Sequence, residues 1–348
     1  MRFCFVFCLA FFVLGNNADA RIFKFASYNV EALFDIENNG TEYPEYVPNS
    51  YSGWNKKIFK IKIENIARVI QNIEADIIAL QEIESKTALI ALCDELKTKG
   101  SNYPYYEIDA TRGASIRCAI ISKFPIIKKE AVYVDKSRNI LKATIDIDGK
   151  HLIIFVNHWK SKKHPESSRI VAAKALKKAI DKLDDDSDFI LCGDFNSNYN
   201  EYKTLKNNPD LDDTKGKTGI NHILCTIHDS KLVNEKKLIS QKSNEYLYNL
   251  WLEIKSKRRW SYNFFGKKGS LDNIIVSKGL YDNKGISYID NSFDKFTPNY
   301  LFYKKQIYRW QISDKGKGRH LGKGYSDHLP IFAYFSTESF KFKNSSKK

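Results

Sequence analysis

The sequence predicts a single α/β domain in which two sheets are covered by helices. Three observations lead there. Short apolar runs rich in β-formers alternate with stretches of helical period. No Pro/Gly/Ser-rich linker, repeat or abrupt change of composition divides residues 21–340. Polar residues bordering apolar runs are spread over almost all of that length, in the order Asn29, Glu31, Glu82, His158, Asp194, Asn196, Asp272, Asp327 and His328. At 348 residues and 43% hydrophobic content the chain has material for one large domain or two small ones, so the undivided pattern decides.

Taken in order, Ile22, Phe23 and Phe25 predict a strand over 22–28 that delivers Asn29 at its end. Residues 55–73 give the clearest helix, with Phe59, Ile63, Ile66, Ile70 and Ile73 at three- and four-residue steps and lysines and Arg68 opposite. Ile77-Ile78-Ala79-Leu80 is again a strand, ending at Gln81-Glu82, and 87–97 reads as a helix stopped by Gly100. Strands follow at 117–122 and 140–147. Asp148-Gly149 turns the second into 151–157, where His158 emerges. Ser167 is placed to cap a helix reaching about Leu183, and 188–192 forms a buried strand ending at Gly193-Asp194. Strands at 271–277 and 329–335 carry acidic residues at their starts. Two aromatic, basic loops, 246–269 with Arg258, Arg259 and Trp260 and 302–323 with Arg309 and Trp310, each precede a site segment and are expected to rim the cleft.

Residues 1–20 read as a secretory signal: Arg2, an apolar stretch from Phe3 to Leu14, then Ala18-Asp19-Ala20 as the cleavage site. The stretch is shorter than the roughly 20 residues a membrane span needs. A secreted or periplasmic location is expected, with 341–348 as a basic tail. Cleavage removes one base and one acid, so the net charge of +15 is kept. Such an excess favours a polyanionic partner, nucleic acid or an acidic membrane surface, over the alternative of a solvated lysine coat. Cys93, Cys118, Cys192 and Cys225 remain after cleavage. Their spacing matches no metal knuckle and leaves two disulfides or buried free thiols open.

Chemistry is expected where oxygen-rich side chains gather, since a hard divalent cation and a phosphate ester need them together. Gly193-Asp194-Phe195-Asn196 follows a buried strand, its glycine allowing close backbone approach. Ser326-Asp327-His328 sets a carboxylate beside an imidazole at a strand start. Asn29-x-Glu31, Gln81-Glu82, Asn157-His158-Trp159-Lys160 and Leu271-Asp272-Asn273 complete an ordered series that points to a metal-assisted phosphodiesterase.

Over residues 22–336 this series resembles the endonuclease/exonuclease/phosphatase superfamily, the group of deoxyribonuclease I, exonuclease III and abasic-site endonucleases. The resemblance implies a four-layer α/β sandwich of two packed mixed sheets flanked by helices, with the site at one edge. It implies Glu82 as principal metal ligand, helped by Asn29, with Asp327 completing the acidic floor. Mg²⁺ or Mn²⁺ is the implied ion, with Ca²⁺ in a structural role. Glu31, implied as a further metal ligand, stands where the abasic-site branch has an aspartate, and its longer side chain would reach the ion differently. Asp194 and Asn196 match residues that orient the attacking water and hold the phosphate. His328 would contact the phosphate or take the water's proton with Asp272 fixing its tautomer, and His158 would protonate the leaving oxygen. Behind His158 the segment Tyr103–Asp109 supplies a carboxylate, Asp109 or Glu107. Arg117 resembles an arginine that touches the phosphate backbone, and Lys160, Arg258, Arg259 and Trp260 are further candidates for substrate contact.

The histidine, aromatic and lysine run at 158–162 is most similar to secreted bacterial nucleases, and the Pro-Ala-Trp-Cys-Asp-Arg type segment of inositol polyphosphate phosphatases is absent around Asp272. The expectation is an exported, monomeric nuclease acting on DNA, with RNA as a second substrate and little sequence preference, because phosphate contacts carry no base information. The alternatives are a secreted sphingomyelinase-like phosphodiesterase and a toxin-type subunit of the same fold. A purely binding subunit would have lost a catalytic residue, whereas every expected position holds a competent one.

Overall fold

The computed structural model describes residues 20–264 and 266–338. The expected leader, except for Ala20, and the 341–348 tail lie outside the described residues.

Asn55 starts the first helix as its sequence demands, accepting hydrogen bonds from the Lys57 and Ile58 N–H groups (3.0 and 3.1 Å), so that α1 runs Lys56–Ile73. Its Ile63, Ile66, Ile70 and Ile73 are buried. Ser85 caps α2, Lys86–Thr98, through the Ala88 N–H at 2.9 Å. Both helices pack on one sheet through a shared apolar cluster that includes Tyr28, Leu80 and Leu92.

The strands are β1 Ile22–Leu33, β2 Ile77–Ile83, β3 Tyr105–Ile108, β4 Arg117–Ser122, β5 Ile126–Val132, β6 Ile140–Ile147, β7 Lys150–His158, β8 Phe189–Asp194, β9 Tyr248–Asn249, β10 Asp272–Val276, β11 Ser287–Tyr288, β12 Asp294–Lys295 and β13 Ile331–Ser336. A seven-stranded mixed sheet runs β11-β13-β1-β2-β4-β3, with β12 also on β13; only β1 and β2 are parallel. A six-stranded mixed sheet runs β9-β10-β8-β7-β6-β5, with β7 and β8 parallel. Phe25, Ile77 and Ile120 of the first sheet meet Ile145, Ile154, Cys192 and Ile274 of the second in the central core. α3, Glu166–Ile180, covers the outer face of the second sheet through Leu176 and Ile180 against Phe155 and Leu191. The result is the expected four-layer sandwich of two mixed sheets between helices.

The differences from the sequence reading are local. The first two strands run on past their apolar runs, so Asn29 and Glu82 stand inside strands. Ser167 does not cap α3: Pro165 precedes the helix, and the Ser167 N–H instead meets Asp213 at 2.9 Å. The last strand begins at Ile331, after Pro330, which has no N–H to give a ladder. β5 escaped notice because it is an edge strand carrying Lys128, Lys129 and Glu130, charges that protect an open edge. Asp148 and Gly149 turn as expected, both at positive φ (54° and 82°). All four cysteines among the described residues are free thiols, three of them buried. Among those residues no helix is long and apolar enough to cross a membrane.

Candidate active site

Strand pairing on the second sheet aligns three site residues. His158 ends β7 opposite Asp194 of β8, and Asp194 in turn stands opposite Asp272 of β10. The close approach of β7 and β8 needs Gly193, at φ +117°, because a Cβ there would lie 2.1 Å from the Asn157 carbonyl oxygen. After Asp194 the chain turns through Asn196 at φ 47°, whose N–H meets Asp194 Oδ1 (2.8 Å) and whose side-chain amide reaches Asp194 Oδ2 (3.2 Å) and the Trp159 carbonyl (3.1 Å).

The first sheet reaches the same place by breaking its register. Asn29 pairs with Gln81, but the next pair is Leu33 with Ile83. Glu31, Ala32 and Glu82 take positive φ (53°, 58° and 68°). Such bulges re-aim side chains. The Glu82 carboxylate accepts from the Ala32 N–H (2.9 Å) and from Asn29 Nδ2 (3.1 Å), and the same Nδ2 reaches Asp194 Oδ2 at 3.2 Å. Asn29 therefore ties the acids of the two sheets together, while its Oδ1 accepts from the Glu31 N–H (3.0 Å).

Two imidazoles complete the cluster. His158 Nε2 is 3.6 Å from Glu82 Oε1 and 3.7 Å from Asp194 Oδ2. His328 Nε2 lies 3.9 Å from both Asp194 Oδ2 and Asp327 Oδ1, and its Nδ1 is 2.8 Å from Asp272 Oδ2. Ser261 also donates to that Asp272 oxygen (2.5 Å), and the Tyr262 ring lies against His328 with centroids 4.7 Å apart. Their surroundings push the two histidines in opposite directions. Burial, then the Arg138 guanidinium and His328, pull His158 well below the usual histidine range. Burial also acts against the His328 imidazolium, but Asp272, Asp327 and Asp194 together overcome it and hold that group well above the range. Burial raises Asp194 to about 7, with Asp272 adding and His328 opposing. Glu82 is likewise pushed up by burial and then by Asp327.

The other expected residues are placed less uniformly. Asp327 adjoins His328 and lies 3.8 Å from Arg309. Glu31 is clasped by Arg309 (Nε to Oε1, 2.8 Å) and by the Trp310 N–H (3.0 Å). Asp109 points inward and accepts from the Thr111 N–H (3.0 Å), whereas Glu107 faces out to Lys129 (2.6 Å). No hydrogen bond joins Asp109 to His158; the Asp109 Oδ1 and the His158 Nδ1 are both buried without a partner among the described residues. Arg117 donates to the Glu84 carbonyl and, with Asp109, Lys86 and Lys129, lines an open groove of ≈ 540 Å³. Lys160 follows Trp159, its carbonyl accepting from Arg169 (3.4 Å).

Arg258, Arg259 and Trp260 are not brought into the cluster. Arg258 pairs with Asp294 (2.6 Å), and Arg259 donates to the Ile254 and Leu252 carbonyls (2.8 and 3.1 Å). Trp260 has the Lys295 ammonium 3.6 Å from its ring centroid and that of Lys268 at 4.5 Å. Their loop supplies Ser261 and Tyr262 to the site instead. Arg138, which donates to the His158 and Trp159 carbonyls (3.2 and 3.1 Å), was also unforeseen, and no local motif marks it.

A hard cation fits this donor set. Glu82 and Asp327 are carboxylates at a partly open edge, with side chains 21% and 20% exposed, and they repel one another. Asn29 turns its amide nitrogen, not its oxygen, toward Glu82, so in this arrangement it acts as a bridge between acids. A separate trio, Glu235, Glu253 and Asp290, brings ligand atoms within 4.8 Å of one another.

Comparison with known proteins agrees with this architecture. The endonuclease/exonuclease/phosphatase family profile matches residues 24–237 and 226–337. No curated protein sequence matches significantly. Among solved structures, a humanized D. rerio TDP2 carrying 14 mutations superposes with a TM-score of 0.55 at 14% identity, over 90% of this chain and 98% of that one. D. rerio TDP2 complexed with a single-strand DNA product gives 0.53 at 13% identity, over 90% and 98%. A family protein from Bacteroides thetaiotaomicron gives 0.50 at 15% identity, over 92% and 99%.

Proposed function

Because the chain belongs to the endonuclease/exonuclease/phosphatase family, we propose that this cluster is the active site of an exported, divalent-cation-dependent nuclease that hydrolyses phosphodiester bonds of DNA, and of RNA, with little sequence preference. The observation that carries the reading is the shared oxygen Asp194 Oδ2, which has Asn29 Nδ2 at 3.2 Å and the two histidine Nε2 atoms at 3.7 and 3.9 Å. One carboxylate faced by two imidazoles of opposite charge preference suits in-line displacement with an acid and a base.

Glu82 and Asp327 are the residues that would hold Mg²⁺ or Mn²⁺. When bound, such an ion offsets the charge that develops on the phosphoryl oxygens. The chain's own groups supply the rest. Asp194 and Asn196 orient the attacking water. His328, kept protonated by its bond to Asp272, contacts the phosphate and gives its proton to the leaving oxygen. His158, kept neutral by burial beside the Arg138 cation, takes the proton of the water together with Asp194. This exchanges the two histidine roles that the resemblance implies, and the contrast between Asp272 behind one ring and Arg138 behind the other motivates it. D. rerio TDP2 with a single-strand DNA product is consistent with a nucleic acid in such a cleft, and the net charge of +15 suits a polyanion.

The test is to incubate the purified chain, lacking residues 1–20, with supercoiled plasmid, RNA and sphingomyelin vesicles, each with Mg²⁺ or EDTA. Metal-dependent nicking of plasmid is the expected result. Silence on both nucleic acids with hydrolysis of sphingomyelin would move the same residues to a membrane substrate and overturn the reading. Export is checked by N-terminal sequencing of the protein released from cells, with Arg21 expected first.

A further inference from the structure

Resting on the reading above, we propose that Arg309 is a built-in cation between Glu31 and Asp327, so that the centre takes a single divalent ion, held by Glu82 with Asp327, and no second ion beside Glu31. Both oxygens of Glu31 are committed: Oε1 accepts from Arg309 Nε (2.8 Å) and Nη2, and Oε2 accepts from the Trp310 N–H (3.0 Å). A carboxylate so held, 9% exposed, would have to lose fixed donors before it met an ion. The same Nη2 lies 3.8 Å from Asp327 Oδ2. One guanidinium thus occupies the place between two acids that a second cation would need, and its charge is permanent.

The surroundings hold Arg309 in this position. Trp310 beside it is buried with Trp54, Tyr46 and Phe34, and its indole N–H donates to His320 Nδ1 (2.8 Å). Backbone bonds pin the loop on both sides, Tyr325 N–H to the Tyr308 carbonyl (2.8 Å) and Gln311 N–H to the Lys323 carbonyl (2.9 Å). On β1 the left-handed backbone of Glu31 (φ 53°) aims its carboxylate at the arginine. Half of the Arg309 side chain stays exposed, which presents a fixed positive charge to an incoming phosphodiester.

The experiment counts ions by Mn²⁺ titration of the intact chain, reading the free ion by electron paramagnetic resonance. One Mn²⁺ per chain is expected, lost in Glu82→Gln and kept in Glu31→Gln and in Arg309→Lys. Arg309→Met should gain a second, weaker Mn²⁺, and Arg309→Met/Glu31→Gln should return to one. Two ions on the unaltered chain, no ion at all, or loss of the ion in Glu31→Gln would overturn the inference, as would a count of one in a folded Arg309→Met. If that variant does not fold, the unaltered chain and Glu31→Gln still decide. Plasmid nicking by the same samples separates the two ideas: the expected ion counts without nicking sink only the nuclease reading, whereas nicking with two ions sinks only the role of Arg309.

Discussion

The two sheets deliver their halves of the site by opposite means. On the second sheet His158, Asp194 and Asp272 stand on three adjacent strands in unbroken register, so ordinary pairing places them side by side. On the first sheet Asn29 and Glu82 converge only because the β1–β2 register slips and Glu31, Ala32 and Glu82 adopt left-handed backbone. Each such residue costs about 1 kcal/mol or more. The difference separates a scaffold from a spring: the second sheet follows from its strands, and the first keeps its geometry through the bonds that Asn29 and Ala32 make to Glu82.

Breaking the shared point should have the largest effect. Asp194→Ala is expected to lower kcat about 10³–10⁴-fold with the circular dichroism spectrum unchanged; retained turnover would mean the two halves act independently. Gly193→Ala attacks the regular sheet itself, since its Cβ would sit 2.1 Å from the Asn157 oxygen. It should cost about 3 kcal/mol in urea unfolding, and near-normal stability would show that the pairing of β7 and β8 tolerates slippage.

Asp272→Asn probes the contrast between the histidines and should reduce kcat about 10²-fold. Because His328 is raised above its unfolded value, activity that needs its proton is present at lower pH and lost as pH rises through the raised value. Removing Asp272 should move that alkaline limb to lower pH. The same variant should lose less activity on a nitrophenyl phosphodiester, whose leaving oxygen needs no acid, and equal losses on both substrates would return His328 to the water side. Arg138→Met is the mildest change, a few-fold in kcat. It relieves one cause of the depression of His158, so the acidic limb should move to higher pH; a fixed limb would show that burial alone sets this ring.

The residues legible in the sequence were those whose position follows from a strand. His158, Asp194 and Asp272 border apolar runs, and the helices at 55–73 and 87–97 declared themselves through period and, for the second, a stop at Gly100. What was hidden depends on contacts between distant segments. Arg309 meets Glu31 across 278 positions, and nothing local separates it from Arg258 and Arg259, which sit in an equally basic, aromatic loop but spend their donors on Asp294 and on backbone carbonyls. The bulges at Glu31 and Glu82 were invisible for a related reason: neither carries a glycine to announce positive φ.

The free thiols carry a consequence for handling the protein. Cys118 and Cys192 are fully buried, which pushes both well above the ordinary thiol range, and burial takes Cys93 to about 12, so none of the three offers a thiolate at neutral pH. Cys225 is only half-buried. A chromogenic thiol reagent should therefore modify Cys225 first and the other three only as fast as the sandwich opens, while reductant should leave the melting temperature where it is. Cys118 and Cys192, in the core between the sheets, make a native reporter of how often the two sheets come apart, and Cys93 reports on the helix layer.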